Sequence, residues 1–281
     1  MKKKQLSQFA VNLLKEELKV DLGNSVLNDI TSNILIEEKK IKASIVARQK
    51  ITLCGSDFIN DFLKIYKKKL NIKNYFYDGQ IIKKNDVISD IIGDPKLILT
   101  LERTILNFIQ HLSSISTSTS KLIKNLNNSK IKLLDTRKTI TGLRMIQKYA
   151  TLTGGAKNHR FGLYDHIFIK DNHIKIAGGF ENVLKQIKKK KIKDFIIECE
   201  NKCQVEKAIN FGCKYILLDN MKKKELIESI KLRNSKDIVF EISGGVNKKN
   251  INKYSDLDVN YISSGFITQN PEPVDISLDI F

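Results

Sequence analysis

Long apolar runs are missing from this chain. Among its 281 residues no stretch approaches the roughly 18 consecutive apolar residues that a membrane-spanning helix needs, so no membrane span is expected. The opening MKKKQLSQFAVNLL begins like a secretory signal, but Lys15, Glu16 and Glu17 interrupt its apolar part before it is long enough. Cysteine is scarce. Cys54, Cys199, Cys203 and Cys213 are spaced neither like a zinc ribbon nor like a disulfide framework. Reduced thiols and a cytoplasmic location follow as expectations. Aromatic residues are absent from the basic runs Lys67–Lys69, Lys188–Lys191 and Lys222–Lys224, although the formal net charge is +18. A groove that tracks nucleic acid would interleave aromatics with its cations. The basic excess is therefore read as solvated surface lysine that steers anionic substrates. No specific nucleic-acid partner is expected; a basic nucleic-acid-binding protein is the competing reading from another functional class.

What is present is ordinary globular material, 41% hydrophobic and 28% charged, enough for one large domain or two modest ones. The N-terminal part reads helix over 5–19, on the spacing of Phe9, Leu13, Leu14 and Leu18. The alternation of IKASIVAR predicts a strand over 41–48, and 57–68 reads as helix. Asp78-Gly79, Lys84-Asn85-Asp86 and Gly93-Asp94-Pro95 punctuate a small turn-rich β layer. A long helix from about 97 to 126 carries Glu102, Arg103, Asn107 and His111.

From residue 131 a unit repeats: a short apolar strand, a polar cluster, then an amphipathic stretch. The strand ends are LLDTRK (133–138), IFIKDNH (167–173), IIECEN (196–201), ILLDN (216–220), FEISGG (240–245) and YISSG (261–265). Between them run 143–152, 183–187, 204–211 and 224–230. Such alternation implies parallel strands with right-handed crossovers. A doubly wound open sheet would announce a glycine-rich turn after its first strand. Here that strand ends in Asp135-Thr136-Arg137-Lys138, which favours a (β/α) barrel with its site at the strand C-terminal ends.

The six strand ends form one constellation. Arg137, Lys138, His159, Arg160 and Lys170 suit carboxylates or phosphates. Glu198, Glu200 and Asp219 suit Mg²⁺, which takes few carboxylates and keeps substrate oxygens in its shell. Ser243-Gly244-Gly245 and Ser263-Ser264-Gly265 suit a phosphate held by backbone N–H groups. Each piece alone is weak: Arg137 or Arg160 alone reads as a surface ion pair, and SGG as a common turn. Of the histidines, His111 and His166 read as structural or surface, His173 as either, and His159 as functional.

The block DTRKTITGLRMIQKYATLTGGAKNHRFGLYDHIFIKDNHI (135–174) resembles the signature stretch of the quinolinate phosphoribosyltransferases. LERTILNFIQHLSSIST (101–117), IECEN, LLDNM, EISGGV (241–246) and YISSGFIT (261–268) follow in that family's order. The resemblance implies an α/β protein: an N-terminal α/β sandwich domain over 1–115, joined by the tail 269–281, and an incomplete (β/α) TIM-like barrel over 116–268. It implies decarboxylating phosphoribosyl transfer from phosphoribosyl pyrophosphate to quinolinate, with Mg²⁺ as cofactor, in de novo NAD biosynthesis. A paralogous phosphoribosyltransferase with another acceptor is the near alternative.

It further implies a homodimer in which Arg103 reaches the neighbouring subunit's site. Arg137, His159 and Arg160 would hold the pyridine carboxylates, and Lys138 and Lys170 would contact carboxylate and phosphates. Glu198 and Asp219 would hold ribose hydroxyls and Mg²⁺; Glu198 is preferred to Glu200 because the family's acidic pair has the same spacing. Ser243, Gly244, Gly245, Ser264 and Gly265 would cradle the 5′-phosphate. The chain departs from the family's pattern at Thr141, where proline is usual, at Ser114 and Ser116, where small Gly and Ala are usual, and in the longer link DLGNSVLNDITS (21–32).

Overall fold

A computed structural model describes residues 3–23, 25, 28–37 and 39–281. Asn24, Val26 and Leu27 of the long N-terminal link lie outside the described residues. The chain packs as two compact units. The first takes the described residues through Ser120 together with 141–155 and 271–281; the second takes 121–140 and 156–270.

In the first unit the helices α1 (Lys3–Leu22), α2 (Ile30–Leu35) and α3 (Ser56–Leu63) accompany a four-stranded antiparallel sheet. Its strands are β1 (Ile41–Ala47), β3 (Leu70–Asn74), β5 (Val87–Gly93) and β12 (Ile276–Ile280), in the order β12-β1-β5-β3. The C-terminal tail thus supplies an edge strand, with Ile45 opposite Leu278. A small pair, β2 (Ile51–Thr52) with β4 (Ile81–Ile82), completes the layer. The long helix α4 (Pro95–Leu126) starts where Asp94 accepts hydrogen bonds from the Lys96 and Leu97 N–H groups. Its run of hydroxyls is buried and occupied: Ser116 donates to the Thr52 carbonyl, Thr117 accepts from the Thr52 N–H, and Ser113 accepts from the Cys54 N–H. Ser114 accepts from the Val274 N–H. The serines at 114 and 116 are therefore fitted into the packing by hydrogen bonds.

Helix α5 (Arg144–Thr153) corrects the division drawn from sequence, which assigned 116–268 as a whole to the barrel. Ile146 and Ala150 are buried in the first unit's core with Phe58 and Leu112, and the Tyr149 hydroxyl donates to Asp78. Gly154 explains how closely α5 approaches α4: a Cβ there would lie 2.5 Å from the Ser116 carbonyl oxygen.

The second unit is a six-stranded parallel sheet. Its strands are β6 (Lys132–Leu134), β7 (Phe168–Ile169), β8 (Ile196–Cys199), β9 (Tyr215–Asp219), β10 (Val239–Ser243) and β11 (Tyr261–Ser263). They run in the order β6-β11-β10-β9-β8-β7. Helices α6 (Asp171–Ile176), α7 (Phe180–Lys189), α8 (Lys202–Phe211), α9 (Lys223–Ile230) and α10 (Phe266–Gln269) occupy the connections. The outward strand residues pack with these helices in one apolar cluster, in which Ile197, Ile216, Phe240 and Ile262 are buried. The inward residues Phe168, Ile196 and Leu217 form a small interior cluster. The sheet is an incomplete barrel with β6 and β7 as its outer strands. The β6–β7 connection is the one whose helix, α5, packs in the first unit. Beside β6 the chain adds only an isolated parallel bridge, Leu134 to Lys157.

Candidate active site

The C-terminal ends of all six barrel strands open into one cavity of about 740 Å³. Period-two alternation puts every second strand residue on its wall: Phe168 and Lys170 from β7, Glu198 from β8, Leu217 and Asp219 from β9, Glu241 and Ser243 from β10, Ser263 and Gly265 from β11. Thr136, Arg137 and Lys138 follow β6, and His159 and Arg160 line the same space. A smaller cavity of about 390 Å³ opens at the opposite strand ends, where Ile196, Tyr215, Val239 and Tyr261 stand, and shares His159 and Arg160 with the first.

The cationic sector is built on a buried carboxylate. Asp135, fully buried at the end of β6, accepts from the Asn158 side-chain amide (2.6 Å) and the His159 N–H (2.8 Å), tying the 158–160 segment to the strand. Phe168 lies beneath three cationic or ionisable groups. The His159 ring stacks on it at 5.5 Å, and the Arg160 guanidinium and Lys170 ammonium lie 4.8 and 4.7 Å from its centroid. Arg160 is buried and donates to the His166 carbonyl. Burial, and then the like charge of Arg137, pull its guanidinium below its ordinary value. The Asp165 carboxylate opposes that shift, and two like-charged guanidiniums in one cavity suit an anionic ligand. The Arg137 Nε is buried without a hydrogen-bond partner, as are the His159 Nε2 and Glu241 Oε1. Such groups cost about 1–3 kcal/mol each until paired.

The acidic sector is Glu198 and Asp219. Burial raises the Glu198 carboxyl above its ordinary value, Lys170 opposes the rise, and the charge of Asp219 adds to it. Lys170 Nζ and Glu198 lie 3.0 Å apart. No described group of three or more acidic, histidine or cysteine residues could form an all-protein metal cage. Two carboxylates lining this cavity do fit Mg²⁺, which completes its shell with water and substrate oxygens. Glu200 is exposed and does not line the cavity.

The phosphate sector is the turn after β10. Gly244 has φ +99°, and a Cβ there would lie 2.2 Å from the Asn220 side-chain oxygen and 2.8 Å from its backbone nitrogen, so only glycine fits. Gly245, at φ +60°, faces open space.

Of the strand-end residues expected from sequence, the cavity takes in Arg137, Lys138, His159, Arg160, Lys170, Glu198, Asp219, Ser243, Gly244, Gly245, Ser263 and Gly265. Ser264 stands apart from the lining: it is buried, its N–H donates to the Leu134 carbonyl at 3.0 Å and its hydroxyl to the Val246 carbonyl at 2.6 Å. Arg103 is exposed on α4 in the first unit and does not line the cavity. His111 contacts Gln147 in the first unit, His166 is exposed, and the His173 Nδ1 accepts from the Lys170 N–H as a helix cap. Phe168, Glu241 and Asp135 went unread as site residues. The available signal was a charge or ring at an inward position of an apolar strand, as in Phe240-Glu241-Ile242.

A parallel barrel gathering cations, an acidic pair and a glycine turn at its strand C-terminal ends defines an α/β-barrel protein with a site for a multiply anionic ligand. Comparison with known proteins sharpens that class. The model of the quinolinate phosphoribosyl transferase C-terminal domain matches residues 115–279, and that of the N-terminal domain matches residues 29–113. The chain belongs to the quinolinate phosphoribosyl transferase family. It is 38% identical over 286 residues to a probable nicotinate-nucleotide pyrophosphorylase (carboxylating) of Methanocaldococcus jannaschii, covering 98% of each chain. It is 35% identical to the Bacillus subtilis protein of the same description, over 92% of this chain and 89% of that one. Among solved structures, the nicotinate-nucleotide pyrophosphorylase from Francisella tularensis superposes with a TM-score of 0.89 at 36% identity, covering 98% of this chain and 97% of that one. The Ehrlichia chaffeensis protein gives 0.90 at 34% identity, over 96% and 98%.

Proposed function

We propose that this protein transfers the phosphoribosyl group of phosphoribosyl pyrophosphate to quinolinate, giving nicotinate mononucleotide, pyrophosphate and CO₂ in de novo NAD biosynthesis. The observation that carries this reading is the pairing of two like-charged, partly buried arginines, one with an unpaired Nε, in the same cavity as two carboxylates and a glycine turn. A substrate with two adjacent carboxylates satisfies the first; a phosphorylated sugar with its metal satisfies the others.

In this reading Arg137 and Arg160 grip the quinolinate carboxylates, with the His159 ring as a wall. Lys138 and Lys170 meet the phosphates and carboxylate, Lys170 leaving Glu198 to do so. Ser243, Gly244, Gly245 and Gly265 hold the 5′-phosphate, and Glu198 and Asp219 hold Mg²⁺ and the ribose hydroxyls. Held by Glu198 and Asp219, Mg²⁺ would supply charge neutralisation to the pyrophosphate. The ring nitrogen attacks the anomeric carbon as the bond to pyrophosphate breaks. Glu198 faces the positive charge that develops on the sugar, so the protein acts by positioning and electrostatics. The quaternary ring nitrogen then accepts the electron pair left when the C2–carboxylate bond breaks; C2 takes up a proton and CO₂ departs.

The test is substrate choice. With Mg²⁺ and phosphoribosyl pyrophosphate, quinolinate should give nicotinate mononucleotide and CO₂, and nicotinate should give nothing. A site built to pair a charge rejects an analogue lacking it. Preferential use of nicotinate overturns the reading, and turnover of neither assigns the site to a paralogue with another acceptor.

The working unit in this reading is a cytoplasmic homodimer. Its support is that Arg103, in the family-like ERT segment, is exposed and lines no part of its own cavity, and that the cysteines are free. No described helix is long and apolar enough to cross a membrane. Mixing the inactive variants Arg103→Ala and Arg137→Ala should restore activity through hybrid dimers; no recovery under demonstrated subunit exchange would exclude the shared site.

A further inference from the structure

The cavity floor holds a carboxylate for which the proposed chemistry has no task. Glu241 sits mid-strand in β10, fully buried, between Phe240 and Ile242. A fully buried carboxylate is costly unless it is paired. Its Oε2 accepts the Tyr215 O–H at 2.6 Å, while its Oε1 has no partner. Burial, and then the Glu241 charge itself, hold the Tyr215 phenol far above its ordinary value, so Tyr215 stays a donor.

On its other side Glu241 faces His159, whose Nε2 lies 3.4 Å from the same Oε2. The tautomer follows from the opposite nitrogen. His159 Nδ1 accepts the Arg160 backbone N–H at 2.6 Å, so the proton of the neutral ring belongs on Nε2, the atom turned toward Glu241. Nε2 is buried and makes no hydrogen bond, so the Glu241 carboxylate meets it through proximity and charge. The ring's face is taken by Phe168. With Nδ1 accepting from the backbone, Nε2 buried against Glu241 without a hydrogen bond and one face taken by Phe168, the imidazole turns no nitrogen toward a substrate carboxylate in this arrangement.

We infer that Glu241, braced by Tyr215, is a positioning residue for quinolinate that acts through His159 on Arg160. The chain of contacts runs from the Tyr215 hydroxyl to the Glu241 carboxylate by a hydrogen bond, across 3.4 Å to the facing His159 Nε2, and from the Arg160 backbone N–H to His159 Nδ1. It fixes both the ring and the origin of the arginine side chain that lies over Phe168. His159 thereby changes role, from a direct carboxylate ligand to the link between the barrel interior and the cation that binds. The inference rests on the quinolinate reading above, since it specifies how that acceptor's site is held.

The experiment is a double-mutant cycle on the full-length protein, with KM for quinolinate and for phosphoribosyl pyrophosphate measured separately, and Tm alongside. Glu241→Gln and Tyr215→Phe keep the volume of the interior and remove its charge or its donor. Each should raise the quinolinate KM by about tenfold, the scale of one charge-assisted hydrogen bond. The phosphoribosyl pyrophosphate KM should stay within about twofold. In a His159→Ala background Glu241→Gln should add less than about twofold, because residues acting through one another are not additive. Multiplicative losses in the double mutant, an equal rise in both KM values, or an unchanged quinolinate KM would each overturn the inference. If the unaltered protein turns over quinolinate while the cycle is additive, the inference alone falls. If the unaltered protein turns over no quinolinate, the functional reading falls and takes this one with it. Should the Gln variant fold poorly, Tyr215→Phe, which retains the carboxylate, carries the same comparison.

Discussion

The two units differ in how completely their polar groups are satisfied, although in the second both carboxylate oxygens of the buried Asp135 are paired. In the first, the half-buried Asp78 and the buried Asp90 are surrounded by donors. Asp78 accepts from the Gly55 and Ser56 N–H groups, the Ser56 hydroxyl and the Tyr149 hydroxyl. Asp90 accepts from Ser44 (2.6 Å) and Tyr75 (2.7 Å) and pairs with Lys42. In the second, the buried side-chain atoms without partners among the described residues are Arg137 Nε, His159 Nε2, Glu241 Oε1 and Arg233 Nε. Only the last is remote from the cavity, on a guanidinium already held by Asp258 and Asn260. Satisfied polar burial serves the fold; of the open atoms, Arg137 Nε is the one left for a ligand, while His159 Nε2 and Glu241 face each other within the barrel.

The comparison breaks most visibly at the acidic pair. Glu198→Gln with Asp219→Asn should lower turnover with phosphoribosyl pyrophosphate by about a hundredfold or more, the scale of losing a preorganised electrostatic group, while quinolinate still binds. Full Mg²⁺-dependent activity in that double variant would remove the pair from the mechanism. Arg137→Ala comes next. One charge-assisted pairing is worth roughly 1.5–3 kcal/mol, so quinolinate affinity should fall at least about tenfold. Its Nε is unpaired in the fold, so Tm should hardly change. Normal quinolinate affinity, or a collapse in Tm, would undo the contrast between the units.

The smallest effect is on stability, in the first unit. Burial pushes the Asp90 carboxyl upward, but hydrogen bonds from Ser44, Lys42 and Tyr75 outweigh it and hold the group below its ordinary value. A depressed pKa means that the folded state favours the charged form. The stabilisation is therefore complete above the unfolded value of about 3.9 and drains away as pH falls through the folded one. Asp90→Ala should cost about 1–3 kcal/mol at neutral pH, with both KM values unchanged, and the difference from the unaltered protein should shrink below pH 4. Equal denaturation midpoints at neutral pH would show that this network contributes nothing.

Local pattern was enough for much of this architecture. Apolar spacing located α1 and α4 to within a few residues of Lys3–Leu22 and Pro95–Leu126, and alternation located β1 at Ile41–Ala47. It missed α2, a six-residue helix whose start depends on Asp29 accepting from the Ser32 N–H. The strand-end clusters were legible because a barrel brings the C-terminal ends of all its parallel strands to one rim, whatever their separation in the chain. Arg137, Lys170, Glu198, Asp219 and the Gly244 turn could be collected on that rule alone.

Direction and company were decided by the tertiary structure. Ser264 and Gly265 are neighbours in one loop, yet only the glycine lines the cavity, because the serine hydroxyl reaches the Val246 carbonyl instead. Helix α5 has the same periodicity as the barrel helices, so no sequence signal told which apolar surface would bury Ile146 and Ala150. Glu241 is one charge in an apolar strand; that it meets Tyr215 from a neighbouring strand and His159 from a loop follows from how the barrel curls. By itself the sequence determined the elements, the rim residues and the family, because those follow from periodicity and motif over short stretches. Which of those residues face one another, and which buried atoms remain without a partner, depended on contacts between residues far apart in the chain, and only the packed barrel brings them within hydrogen-bonding range.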